Sequence, residues 1–392
     1  MRRIIAASVA LLLLSIAGPA HAERTIRFPD ESVGNVSIQA EATVDFGYDT
    51  WGGAERDGWQ DHGPAAGEVT IPDGFAVMLE LSPTAASDPS WLDDLPDDAI
   101  DILRADRVPF GDAGFAKLSR LVGLRHLSIG DAGLTSSIAH HLPRLRHLRH
   151  LWIAGNSEVG DDAMPAVAAL PELQAIGLRF TGVTDAGLES LSKSKTLQAV
   201  YALNTRITDA GLAALTRLPH LRVLSVYADY SATDLELRRK EPNPSITDAG
   251  LAHLANCPNL EKLDVSGSEL TDTGLERLVA DCPHLRELLI RNTPVTTKGL
   301  QCLGSLSQLE GFWCYGTSID DSVVEHFGSL HKLREIVGNV SISNAGAESL
   351  AALPSLEYLS LSGKCDDGCM DSVAAMRSLK YLSIQNSRVT DE

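Results

Sequence analysis

Along the chain, apolar residues return in one short phrase, apolar-x-x-apolar-x-apolar. It begins at Ile100, Leu124, Leu148, Leu173, Leu197, Leu221, Leu260, Leu285, Leu309, Leu333, Leu356 and Leu379. Successive starts lie 23 to 25 residues apart, except for one step of 39 between Leu221 and Leu260. Side chains alternate along a strand, so the fourth and sixth positions point into a core while the third, fifth and seventh face the opposite side. A small or polar residue follows, such as Asn156, Thr181, Thr205, Ser268, Thr293 or Thr317. Next comes a helix start: Thr-Asp-Ala-Gly-Leu at Thr184 to Leu188, again from Thr208 and from Thr247, with a close variant from Thr271. The threonine supplies an N-cap oxygen, and the aspartate puts negative charge where the helix dipole favours it. Leu188 and Leu191 fall on one helical face, and a stop such as Leu218-Pro219 or Leu353-Pro354 closes the unit. The period predicts strand–helix units that bury a continuous core only by stacking.

Three stretches stand outside the rhythm. Residues 1–22 read as an export signal: Arg2 and Arg3, an apolar run from Ile4 to Ile16, and Ala20-His21-Ala22 as a cleavage site, so the mature chain begins at Glu23. Residues 23–99 hold short β-type runs at Thr25–Phe28, Asn35–Ile38, Glu68–Ile71 and Phe75–Leu81, broken by Pro and Gly. They predict a small β-rich cap over the first repeat, whose core would otherwise be open to water. The long step carries an insertion near residues 229–245, leaving the array just after a strand.

The twelve units resemble the leucine-rich repeats, in particular the cysteine-containing subtype of about 24 residues related to ribonuclease-inhibitor-like arrays. The resemblance covers residues 100–392. It implies an α/β solenoid, a horseshoe with a concave parallel sheet and convex helices, and a non-catalytic interaction scaffold.

Composition narrows the classes. With 33 basic and 52 acidic residues the net charge is −19, and loss of the two signal arginines makes it −21, which excludes a nucleic-acid partner. The acidity is concentrated in residues 23–99, where 17 acids face three arginines. Past residue 22 no apolar run approaches the roughly 18 residues that would span a bilayer. The product is expected outside the cytoplasm, periplasmic or extracellular.

Among the outward strand positions are Trp152, Tyr201, Tyr227, Trp313, Tyr315, Tyr358 and Tyr381, seven of the chain's twelve Tyr and Trp residues. Aromatic side chains facing water anchor interfaces, so these residues are the expected contact with a protein partner, or with a sugar ring in a cell-envelope glycan. Toward the N-terminal end, Arg125, His126, Arg149 and His150 suggest a basic patch that prefers anions or an acidic partner. Arg238, Arg239 and Lys240 in the insertion are a second contact candidate. Of the six cysteines, Cys257, Cys282 and Cys314 read as core residues, and Cys365 with Cys369 as a local disulfide. No phosphate loop, metalloprotease motif or nucleophile elbow occurs, so no enzyme activity, cofactor or metal is expected.

Overall fold

The structure, a computed structural model, describes residues 23–40, 58–227, 246–362, 364–385 and 388–390. The signal segment and insertion residues Arg238, Arg239 and Lys240 lie outside these ranges.

Five strands precede the repeats: β1 (Arg24–Arg27), β2 (Gly34–Ala40), β3 (Gln60–Pro64), β4 (Glu68–Ile71) and β5 (Phe75–Leu81). Twelve more follow, one per unit. They are β6 (Ile102–Arg104), β7 (His126–Ser128), β8 (His150–Trp152), β9 (Ala175–Gly177), β10 (Ala199–Tyr201) and β11 (Val223–Ser225), then β12 (Lys262–Asp264), β13 (Glu287–Leu289), β14 (Gly311–Ile319), β15 (Glu335–Val340), β16 (Tyr358–Ser362) and β17 (Tyr381–Gln385). β5 to β17 form one continuous run in sequence order, pairing parallel at each step. β2 adds antiparallel to β5, and β3 to β2, completing fifteen strands, while β1 and β4 make a separate antiparallel pair. The polar strand β3 was not apparent in the sequence, because Gln60-Asp61-His62-Gly63-Pro64 has no apolar alternation.

Register is set by the leucines. Leu103, Leu127, Leu151, Ile176, Val200, Leu224, Leu263, Leu288, Phe312, Ile336 and Leu359 form one buried row, none more than 1% exposed. In β17 the equivalent Leu382 is 39% exposed, and Ile384 is 38% exposed. The 39-residue step leaves the stacking intact, since Val223 of β11 still pairs with Lys262 of β12.

The helix-start aspartates have a role that the dipole argument did not supply. Each accepts two hydrogen bonds from the cap threonine or serine of the next unit. Asp185 takes the Thr208 backbone N–H at 2.8 Å and its hydroxyl at 2.6 Å. Asp161, Asp248 and Asp272 do the same for Thr184, Thr271 and Thr296, as does Asp321 for Ser343. Asp209 reaches Thr247 across the insertion, again at 2.8 and 2.6 Å. The threonine hydroxyl also accepts from its own helix, as Thr208 does from the Ala210 N–H at 3.1 Å. One hydroxyl thereby caps its helix and ties it to the preceding unit.

The glycine of the motif follows from this ladder. A Cβ on Gly250 would stand 2.1 Å from Asp209 Oδ1 and 2.9 Å from its Cα. On a free helix Gly→Ala stabilises by about 1 kcal/mol. Here Gly250→Ala is expected to destabilise by roughly 1–3 kcal/mol, because the overlap is partly with backbone. A urea midpoint that rises in the variant would show that the ladder does not hold these units at their observed spacing.

Candidate functional site

The sheet is curved, so side chains on its inner face converge and fill their own space. Trp152, Ala175, Ala199, Tyr201 and Val223 form a second apolar cluster there, separate from the main core. Trp152 lies across β9: a Cβ on Gly177 would come within 1.8 Å of its Cε3. Its ring centre is 5.0 Å from that of Tyr201, and only 7% of Trp152 and 5% of Tyr201 is exposed. The small residues Gly177, Ala175 and Ala199 give these rings room to lie down on the sheet. Two of the seven aromatics therefore form a floor and present little face to water.

The basic patch expected at this end changes character. His126 and His150 are 2% and 1% exposed, their Nδ1 atoms are 3.3 Å apart, and their rings meet edge to face. With the two nitrogens in hydrogen-bond contact, one must donate and the other accept. Burial, with a smaller push from His150 and Arg104, holds His126 well below the usual imidazole range, so it is neutral at pH 7. Arg125 and Arg149 occupy the second position of the repeat phrase, each just before its strand at the N-terminal edge of the sheet. Arg125 Nε is 3.8 Å from Asp101, and Arg149 Nε is 3.5 Å from Glu172. The four residues are a buried imidazole pair flanked by two ion-paired arginines, because the curvature covers position 3 and the edge supplies acids.

Next to the aromatic floor is an open cavity of about 400 Å³ on the concave side. Trp152 and Tyr201 form one wall, with Asp106, Arg179, Lys262, Asp264 and Glu287 around them. Asp264 is the least expected member. It ends its strand with 5% exposure, and burial raises its pKa against the opposing effects of Ser266, Arg291 and Ser225. Glu287 is also raised, by burial first, although Lys262 Nζ pairs with it at 3.0 Å. Asp106, Arg179, Lys262 and Asp264 were not singled out by the sequence. The available signal was a charged residue at the fifth position of the repeat phrase that starts at Leu260, where the adjacent units carry Ser225 and Leu289.

The aromatic residues of the C-terminal half are more open. Trp313 is half-buried, curling back over Gly311, and its strand changes register between Trp313 and Ser318. That irregularity, with Gly316 at φ 101°, turns Tyr315 outward to 49% exposure. The Tyr358 and Tyr381 rings lie tilted to one another with centres 6.4 Å apart, and Tyr381 is 65% exposed. Tyr227 is half-buried beneath the Arg291 guanidinium, 5.3 Å from its ring centre.

All six cysteines are free thiols. The pair Cys365 and Cys369 is unbridged: both are fully buried, and Cys369 Sγ donates to Asn344 Oδ1 of the preceding unit at 3.2 Å. Burial pushes the Cys365 thiol up to about 12, and Cys257 and Cys282 to about 11 and 12, which keeps them protonated. Among the described residues no cluster of three or more His, Cys, Asp or Glu could hold a metal ion, and no helix is long and apolar enough to cross a membrane.

Comparisons with known proteins agree with this architecture. The family profile described as Leucine Rich repeat matches residues 256–279. Among solved structures, the chain is similar to one in the yeast Rad7 and Elc1 complex, with 19% identity over 76% of this chain and 78% of that one and a TM-score of 0.52. An internalin, InlF from Listeria monocytogenes, aligns at 17% identity over 76% of this chain and 77% of its own, with a TM-score of 0.43. No curated protein sequence matches.

Proposed function

We propose that the chain is an exported, non-catalytic leucine-rich-repeat scaffold that binds a protein partner on its concave face. One observation carries the reading. Among the described residues the exposed large hydrophobics are five, and two of them, Tyr315 and Tyr381, hold strand positions that alternation assigns to the concave side, with half-buried Trp313 and Tyr358 on β14 and β16. Aromatic area of this kind left in water is costly in a monomer and is the chemistry of an interface anchor. The complexed relative of yeast supports the same use of the fold. Export rests on the charged, apolar and small-residue order of residues 1–22. The insertion around Arg238 adds a second contact outside the sheet.

The test is site-specific photo-crosslinking in the native host from a probe at Tyr315, with a control probe at the exposed helical residue Glu189. A discrete protein is expected from Tyr315 only, attached to a chain that begins at Glu23 in the extracytoplasmic fraction. Trp313→Ala should then weaken that complex by at least about tenfold with the fold retained. Equal capture from both positions, or competition by soluble oligosaccharide, would exclude a protein partner on this face.

A further inference from the structure

Donors and acceptors around the concave cavity do not match. Asp106 accepts from the Ser128 hydroxyl at 2.8 Å and the Gly130 N–H at 2.7 Å. Lys262 is engaged by Glu287, and the Arg179 guanidinium lies 4.8 Å over the Phe180 ring. Asp264 differs. Its Oδ1 accepts from the Ser266 N–H at 3.1 Å and hydroxyl at 2.6 Å, but Oδ2 accepts no hydrogen bond. The nearest cation, Arg291 Nη2, is 3.8 Å from Oδ2, beyond hydrogen-bond reach. A carboxylate oxygen shielded from water and lacking a donor is under strong demand for one. Charge on the neighbouring Glu287 is also disfavoured, by burial first and then, against the opposing pull of Lys262, by the carboxylates of Glu310 and Glu335. The wall beside Asp264 is aromatic, a surface that suits a cation and an aliphatic stem together.

We propose that this cavity receives a lysine side chain of the protein partner, its ammonium pairing with the Asp264 carboxylate and its methylenes lying along Trp152 and Tyr201. The assignment rests on the scaffold reading for its source of lysine, and on the cavity alone for its chemistry. Each added N–H bond to a buried carboxylate contributes more than the same bond at the surface. The ammonium also offsets the like-charge cost on Glu287.

The probes are Nα-acetyl-lysine amide and Nα-acetyl-norleucine amide, which share a stem and differ in the charged head. They are titrated into the full chain labelled with 5-fluorotryptophan, with the Trp152 resonance identified by Trp152→Phe. The lysine probe should move that resonance saturably, at least about tenfold more tightly than norleucine, and leave Trp313 unmoved. Asp264→Asn keeps an acceptor for Ser266, and should erase the preference; Glu287→Gln, farther from the ammonium, should only reduce it. Equal affinity of the two probes, no saturable shift, or a preference that survives Asp264→Asn would overturn the assignment. A protein captured at Tyr315 without lysine preference in the cavity refutes the lysine site alone. Lysine preference without a captured protein refutes the scaffold reading and leaves the cation site standing.

Discussion

Asn156→Ala is expected to be among the most damaging single substitutions in the array, costing about 3–5 kcal/mol. The side chain is 2% exposed and uses nearly all its hydrogen-bonding capacity. Its Oδ1 accepts from the N–H groups of Ala132 and Leu134, both at 3.0 Å, and its Nδ2 donates to the carbonyls of Ile129 and Ile153, both at 2.9 Å. Alanine strands four backbone groups, none of which can reach water without opening the turn. The equivalent Thr205 donates one bond, to the Ala202 carbonyl at 2.7 Å. Thr205→Ala should therefore cost about 1 kcal/mol. Urea titration of the two variants measures the difference, and hydrogen exchange at Ala132 and Leu134 locates it. If Asn156→Ala is no worse than Thr205→Ala, the turn has some other support.

Acid should weaken the N-terminal half of the sheet through His126. In the unfolded chain this imidazole takes up its proton near pH 6.5, whereas in the fold burial delays protonation to a lower pH. Between those values the unfolded state binds more protons, so stability is complete above pH 6.5 and falls as the pH drops toward the folded value. The contribution reaches about 1.4 kcal/mol per pH unit within that window. A proton on His126 would place a cation among His150, Trp152 and Arg104, none of which can neutralise it. Melting temperatures measured from pH 7.5 to 4.5 should decline more steeply for the native chain than for His126→Asn, which has no titrating ring. Parallel curves for the two proteins would assign the acid sensitivity elsewhere.

The difference between what the sequence discloses and what it withholds lies in how each property depends on neighbours. Ile176 and Phe312 are buried because of their place in a 24-residue period, and the period is visible in one dimension. Exposure on the concave face is not periodic. Alternation places Trp152 and Tyr315 on the same side of the sheet, but Gly177 gives the first a bed to lie in and the bend at Gly316 lifts the second away. His126 and His150 were legible as neighbours one strand apart, yet not as buried, because curvature is set by the whole stack. The aspartate ladder could have been seen as an Asp-to-Thr spacing of 23, and was obscured by a local explanation that already accounted for each residue. Asp264 was hidden because one carboxylate in a strand acquires meaning only with a cavity beside it.

The ladder lacks its aspartate at three places, Ser136, Thr297 and Asn344. Thr297 stands where other units carry the bridging aspartate, and its hydroxyl donates to the Ser318 carbonyl at 3.0 Å. The next cap, Asp320, binds its own Ser322 N–H and hydroxyl at 3.1 and 2.7 Å. Between Thr297 and Asp320, β14 departs from regular pairing with β15. Under mechanical load the solenoid would part at this seam before any intact rung on either side. The division falls between the cavity, whose last lining residue is Leu289, and the aromatic strip that begins at Trp313. A ligand gripping both would clamp two semi-independent blocks into one stiff beam.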